Sequence, residues 1–275
     1  IRMLSYMDDL LFLLSRRQAR DPSVVTWIMG VLQAFGLQVK ESKCILEPQR
    51  RLCYLGLEID LDTGTYRVPE SKVSRMKQAA RDLLCRSARN RRLINARRLA
   101  SFVGRCQSVA LAVPSTRFFT RSLHDVLGSW AHNWRGSVRL DRQALRDLQW
   151  WTQFDTSLEA QPGRIWRSPT TVTIHSDAAH EGKFAGWGGV LNGHLPARGN
   201  FPIEEATSRH INEFELAAVR LTLETFLQEC RNRDVKVFTD SQVALHVIEN
   251  MTTRSRRLMK ELRRLLTLTF EENIR

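Results

Sequence analysis

The sequence predicts an α/β fold in three parts, over residues 1–68, 69–170 and 171–275. Three observations predict it. Strand-like apolar runs and turn signals fill both ends of the chain, while the middle carries the 3.6-residue apolar period of helices. The entire net charge of +13 falls before Thr171, where 28 Lys+Arg face 15 Asp+Glu; from Thr171 onward 14 face 14. Finally, isolated carboxylates sit beside strand-like runs at both ends of the chain.

In the first part, Ile1–Ser5 and Leu10–Leu14 are apolar runs split by Tyr6-Met7-Asp8-Asp9. Two such runs about a short polar break predict a β-hairpin. Asp21-Pro22-Ser23 starts a helix whose apolar face is Val24, Val25, Ile28, Val31, Leu32 and Phe35, ended by Gly36. Short strands are expected at Leu37–Val39, Cys44–Leu46 and Leu52–Asp60. A turn at Asp62-Thr63-Gly64 then leads into Thr65–Val68.

Pro69 opens the helical part. Helices are expected over Glu70–Arg86, Asn95–Val113, Arg117–Leu127 and Asp141–Trp151, with a linker marked by Gln161-Pro162-Gly163 and Ser168-Pro169. In the third part, Thr171–His175, Ala185–Leu191, a run from His194 and a buried Val235–Phe238 read as strands. Asn212–Cys230, Ser241–Glu249 and Arg257–Leu266 read as helices.

Composition excludes several classes. No apolar run approaches the roughly 20 residues of a membrane span, so no membrane partner is expected. The five cysteines have no C-x-x-C spacing, which argues against a disulfide frame or zinc knuckle and fits a reducing, intracellular compartment. The chain opens inside a strand-like run and stops at Arg275 without a closing element, so it reads as a piece cut at both ends.

Seven arginines and no carboxylate fall between Arg86 and Arg105. Leu93, Ile94, Leu99, Phe102 and Val103 interleave with them, so a folded surface is expected rather than a tail. Arg91, Arg92, Arg97 and Arg98 are the candidate phosphate contacts, since clustered basic charge is the footprint of a nucleic-acid backbone binder.

Two sets of carboxylates could do chemistry. Asp8 and Asp9 at a hairpin tip repel each other, and a hard divalent cation such as Mg²⁺ relieves that repulsion. Asp177 follows the first strand of the third part, Glu215 lies in the first turn of a helix, and Asp240 closes a later strand. An acid at the end of each of two strands and one on a helix can converge at a sheet edge as a two-metal site. Glu213, two residues from Glu215, points about 200° away round the helix.

These residues resemble a known family. Tyr6-Met7-Asp8-Asp9 is similar to the Y-x-D-D box of reverse transcriptases. The following helix, Ser42-Lys43-Cys44, Tyr54-Leu55-Gly56, the Thr63-Gly64 turn and Pro69 resemble the order downstream of that box in retroelements. Leu99–Val113 and Trp150-Trp151 look most like DIRS-like retrotransposons, with the hepadnaviral polymerase second. Ser176-Asp177-Ala178, Glu215-Leu216-Ala217-Ala218 and Thr239-Asp240-Ser241 resemble the ribonuclease H boxes and select Glu215 over Glu213.

The resemblance implies the C-terminal part of a palm over 1–68, a helical thumb and connection over 69–170, and a C-terminally truncated ribonuclease H-like mixed sheet with flanking helices over 171–275. It implies RNA-directed DNA polymerase and ribonuclease H activities dependent on Mg²⁺, with Mn²⁺ as substitute, acting on primer–template, deoxynucleotides and RNA–DNA hybrid. Asp8, Asp9, Asp177, Glu215 and Asp240 would be catalytic metal ligands, and Lys43 would lie near the incoming nucleotide. The family's first palm aspartate and fourth nuclease acid would fall outside the chain. Two rival readings are a catalytically dead nucleic-acid-binding relic of a decayed element, and another nuclease or integrase on the same sheet. His175, His180, His210 and His246 lack metal spacing and are expected to be structural; Trp130, Trp134, Trp150 and Trp151 are expected to pack.

Overall fold

A computed structural model describes residues 1–128, 134–154, 163–165 and 172–275. The architecture is mixed α/β, with several small sheets and two main cores. The linker residues Gln161, Pro162, Ser168 and Pro169, the strand start at Thr171 and Trp130 lie outside the described residues.

The predicted hairpin is present. β1 (Arg2–Tyr6) pairs antiparallel with β2 (Asp9–Leu13) in a register that sets Tyr6 opposite Asp9. Met7 turns the chain with φ 50°. α1 (Pro22–Ala34) follows; Asp21 caps it by accepting from the Ser23 N–H, with Pro22 in the first turn, where its missing N–H costs nothing. Between α1 and the hairpin lies an open apolar groove of about 400 Å³, lined by Met3, Phe12, Trp27 and Phe35 among others.

The strands expected at Leu37–Val39 and Cys44–Leu46 are absent; that stretch is irregular apart from a 3-10 turn at Glu41–Lys43. Among the described residues these short apolar runs have no pairing partner, and a strand exists only by pairing. Leu52–Asp60 is two strands, not one: β3 (Arg51–Tyr54) and β4 (Leu57–Asp60). Leu55 (φ 51°) and Gly56 (φ 74°) form the two-residue hairpin loop between them. β5 (Thr65–Arg67) completes this sheet.

Helices α2 (Glu70–Arg89), α3 (Ala96–Gln107), α4 (Thr116–Gly128) and α5 (Arg142–Gln153) form the middle part. α3 stops six residues before the predicted Val113, and the remainder is turns. β6 (Leu93–Asn95) and β7 (Ser137–Arg139), neither predicted, pair across it. The core joins Val73, Met76, Leu83, Leu99, Phe102 and Trp151 with Leu57 and Val68 of the first part. Trp150 stacks on Phe119 at 3.9 Å and Trp151 meets Phe102 edge-on at 6.1 Å, so this pair packs as expected. Trp134 is 46% exposed.

The third part is a four-stranded sheet, order β10-β9-β8-β11. β8 (Val172–Glu181), β9 (Phe184–Leu191) and β10 (Leu195–Asn200) are antiparallel neighbours; β11 (Val235–Phe238) joins β8 in parallel. β11 is not the fully buried strand expected, for Lys236 and Phe238 are exposed. Phe238 instead stacks on His175, and Lys236 lies over its ring. On the side of β11 away from β8, Arg275 donates to Arg233 O and accepts from the Val235 N–H, as in parallel pairing.

A short helix, α6 (Ile203–Ala206), precedes α7 (Ile211–Thr225). The single helix predicted over Asn212–Cys230 breaks at Phe226, leaving α8 (Leu227–Cys230). α9 (Gln242–Asn250) and α10 (Arg256–Glu271) end the chain, capped by Ser241 and Ser255. α7 and α10 cover the face that buries Val172, Ile174 and Leu191.

Candidate metal centre

β8 runs further than predicted, so Asp177 lies within the strand, opposite Gly188, rather than after it. Parallel pairing of β8 with β11 ends at Phe238↔His175. Continuing that register two residues sets Asp240 level with Asp177 on the neighbouring path, and adjacent strands lie about 4.8 Å apart. Glu215 is the fifth residue of α7, one residue further into the helix than expected, because α7 begins at Ile211 and not at Asn212. One ligand oxygen from each of Asp177, Glu215 and Asp240 lies within 4.8 Å of the others.

The two aspartates are exposed and Glu215 is buried. Burial, then the Asp177 and Asp240 charges, push the Glu215 carboxyl up to about 7, against a smaller pull from the Ala178 backbone N–H. Its Oε2 is buried and has no hydrogen-bond partner among the described residues. An orphaned carboxylate oxygen facing two further carboxylates fits a hard divalent cation such as Mg²⁺ or Mn²⁺, which supplies the missing positive charge.

A pH dependence follows. Because the folded-state pKa lies above the ordinary 4.5, the stability Glu215 contributes is present at low pH and lost as pH rises through about 7. A cation competes with that proton. The rise in melting temperature on adding Mg²⁺ should therefore be larger at about pH 8 than at about pH 6. Equal rises at both would contradict this electrostatic account.

Glu213 has a different task. It is 7% exposed, accepts from the His210 N–H at 3.3 Å as the α7 capping box, and pairs with Arg209 at 3.5 Å. It is a buried structural group, and Glu213→Gln cannot be treated as silent. Of the four histidines, His210 caps α7 and His180 bonds Ala206 O at 2.8 Å.

Asp8 and Asp9 are exposed at the hairpin tip, with Tyr54 donating to Asp9 O at 3.2 Å. Among the described residues no third metal-ligating side chain joins them. Lys43 ends an exposed 3-10 turn.

The seven arginines from Arg86 to Arg105 are all exposed. Arg91 and Arg92 sit in a left-handed turn (φ 48° and 67°) between α2 and β6, and Arg97 and Arg98 open α3. A cavity of about 380 Å³ lies here, lined by Arg86, Arg89, Asn90, Asn95 and Arg98 among others. Arg86, Arg89, Asn90 and Asn95 were not singled out from the sequence. The helix period across the α2 end, with the Asn95 cap beside it, is the signal that could have found them.

No family model matches the chain, and no curated protein matches it. Among solved structures it is similar to the foamy viral protease-reverse transcriptase dRH in complex with double-stranded DNA (13% identity, TM-score 0.44, 99% of this chain and 45% of that one). It is also similar to the foamy viral protease-reverse transcriptase in complex with RNA/DNA hybrid (14% identity, TM-score 0.44, 96% of this chain and 34% of that one). The chain thus spans less than half the length of either.

Proposed function

We propose that the third part of this chain is a divalent-cation-dependent nuclease of the ribonuclease H type that cleaves the RNA strand of RNA–DNA hybrids. The observation that carries this reading is the convergence of ligand oxygens of Asp177, Glu215 and Asp240 within 4.8 Å of one another. The S-D-A, E-L-A-A and T-D-S boxes around them supply the substrate class by resemblance. When bound, Mg²⁺ would activate water and stabilise the leaving oxygen. The chain's own residues would fix the geometry: β8 carries Asp177, the segment just after β11 carries Asp240, and α7 carries the buried Glu215. Water would add to phosphorus as the P–O bond to the sugar breaks.

The basic middle part would hold the nucleic acid through its phosphates, at Arg91, Arg92, Arg97 and Arg98, without sequence preference. In a longer protein the Tyr6–Asp9 hairpin would serve RNA-templated DNA synthesis from primer–template and deoxynucleotides, with Asp8 and Asp9 as part of its metal site and Lys43 near the nucleotide. Within retroelements the DIRS-like group fits the motif order better than the hepadnaviral polymerase does.

Hybrid binding tests the second half of this reading. Affinity should fall steeply with salt, and changing those four arginines to Ala should flatten the log–log slope by roughly one unit for each phosphate left without its arginine. A flat salt response would contradict it. Hybrid cleavage in Mg²⁺ tests the first half; a non-catalytic relic would bind the hybrid and leave its RNA intact.

A further inference from the structure

Arg263 and Glu261 lie two residues apart on α10 and reach different neighbours. Glu261, 3% exposed, pairs with Arg220 of α7 at 2.7 Å and with Arg209, just before α7, at 3.2 Å. Arg263 reaches the middle part: its two terminal nitrogens lie 3.3 and 3.4 Å from the two oxygens of Asp147 on α5. Asp147 is 1% exposed and also accepts from the Ser122 hydroxyl and, at 2.9 Å, from Gln143. The same guanidinium covers the ring of Phe118 at 4.6 Å; Phe118 belongs to α4 but is buried in the core of the sheet part.

Two separate sets of charge-assisted bonds therefore tie α10 to its neighbours, Arg263 to the middle part and Glu261 to the helix that bears Glu215. A guanidinium fork on a carboxylate fixes direction as well as distance. Apolar packing alone could hold the two parts together at a smaller desolvation cost, so what the buried pair adds is orientation.

We propose that the Asp147–Arg263 link is a positioning device that holds the basic surface and the carboxylate site in one fixed register. Nucleic acid gripped by the arginines then meets the site at a set place. Arg263 is a positioning residue, remote from the reacting atoms. The register itself is independent of the reaction; its consequence for cleavage rests on the function proposed above.

The test uses the full chain with exposed Cys44, Cys53 and Cys85 changed to Ser, and spin labels at Ser74→Cys on α2 and Glu249→Cys on α9. Asp147→Asn/Arg263→Gln removes both charges together, so no lone buried charge is left. The distance distribution should be narrow in the parent and at least about twofold broader in the double variant, with Arg263→Lys, which keeps the charge without the fork, between them. Equal widths in all three overturn the proposal. On a labelled RNA–DNA hybrid, the double variant should lose about tenfold in kcat with KM within about twofold, and Arg263→Lys should recover part of it. Unchanged kcat in a variant with a broadened distribution would overturn the link to cleavage. A parent that cleaves nothing would instead count against the proposed nuclease, and the distance measurement would still decide the register.

Discussion

Replacing Asp177 by Asn should lower hybrid cleavage by at least about 100-fold, and Glu215→Gln and Asp240→Asn should do nearly as much. Each change keeps the side chain's shape and removes one charge from a group whose ligand atoms lie within 4.8 Å of one another. If the three act as one cation cage, pairs of changes should cost little more than single ones, because residues in one unit are strongly non-additive. Glu215→Gln carries a second signature: it removes the charge that burial, and then Asp177 and Asp240, disfavour and that raises the carboxyl to about 7, so the metal-free chain should become more stable at alkaline pH even as activity is lost. Glu213→Gln should show the opposite combination. The loss of its ion pair with Arg209 should lower stability, with cleavage by the folded fraction intact. Near-parental cleavage by both Asp177→Asn and Asp240→Asn would contradict the site.

Gly189→Ala should be nearly as damaging, through packing. A Cβ there would lie 2.2 Å from Oγ1 and 2.6 Å from Cγ2 of Thr222 on α7. Thr222 is fully buried and its hydroxyl is tied to Ala218 O at 2.8 Å, so it has little room to yield. Overpacking of this kind costs about 1–3 kcal/mol. The helix pushed aside is the one that carries Glu215, so cleavage should fall beyond the loss of folded protein. Thr222→Ala in the same chain removes the two closest atoms and should recover much of the stability. Thermal unfolding of the single and double variants checks this; a Gly189→Ala chain as stable as the parent would mean that α7 is not held that closely.

The acidic boxes were the most legible part of the sequence. Asp177, Glu215 and Asp240 each sit in a local pattern tied to strand or helix; the parallel register of β8 and β11 sets the two aspartates side by side, and α7 brings Glu215 within reach of them. Long periodic helices were legible as well, because packing and period agree in α2 and α5. What failed depended on partners distant in sequence. Leu37–Val39 and Cys44–Leu46 are apolar enough for strands but find nothing to pair with among the described residues, while β6 and β7, three residues each, pair with each other. The Leu55-Gly56 loop was hidden because leucine rarely takes positive φ. The structural task of Glu213 was not legible, because a capping box is visible only once the helix start is known.

Electron paramagnetic resonance of Mn²⁺ titrated into the full chain shows whether the three carboxylates form one cation site. The parent should bind Mn²⁺ saturably, with displacement by Mg²⁺, and Asp177→Asn/Asp240→Asn should abolish that binding at an unchanged fold. Mn²⁺ bound equally by parent and double variant would contradict a shared site.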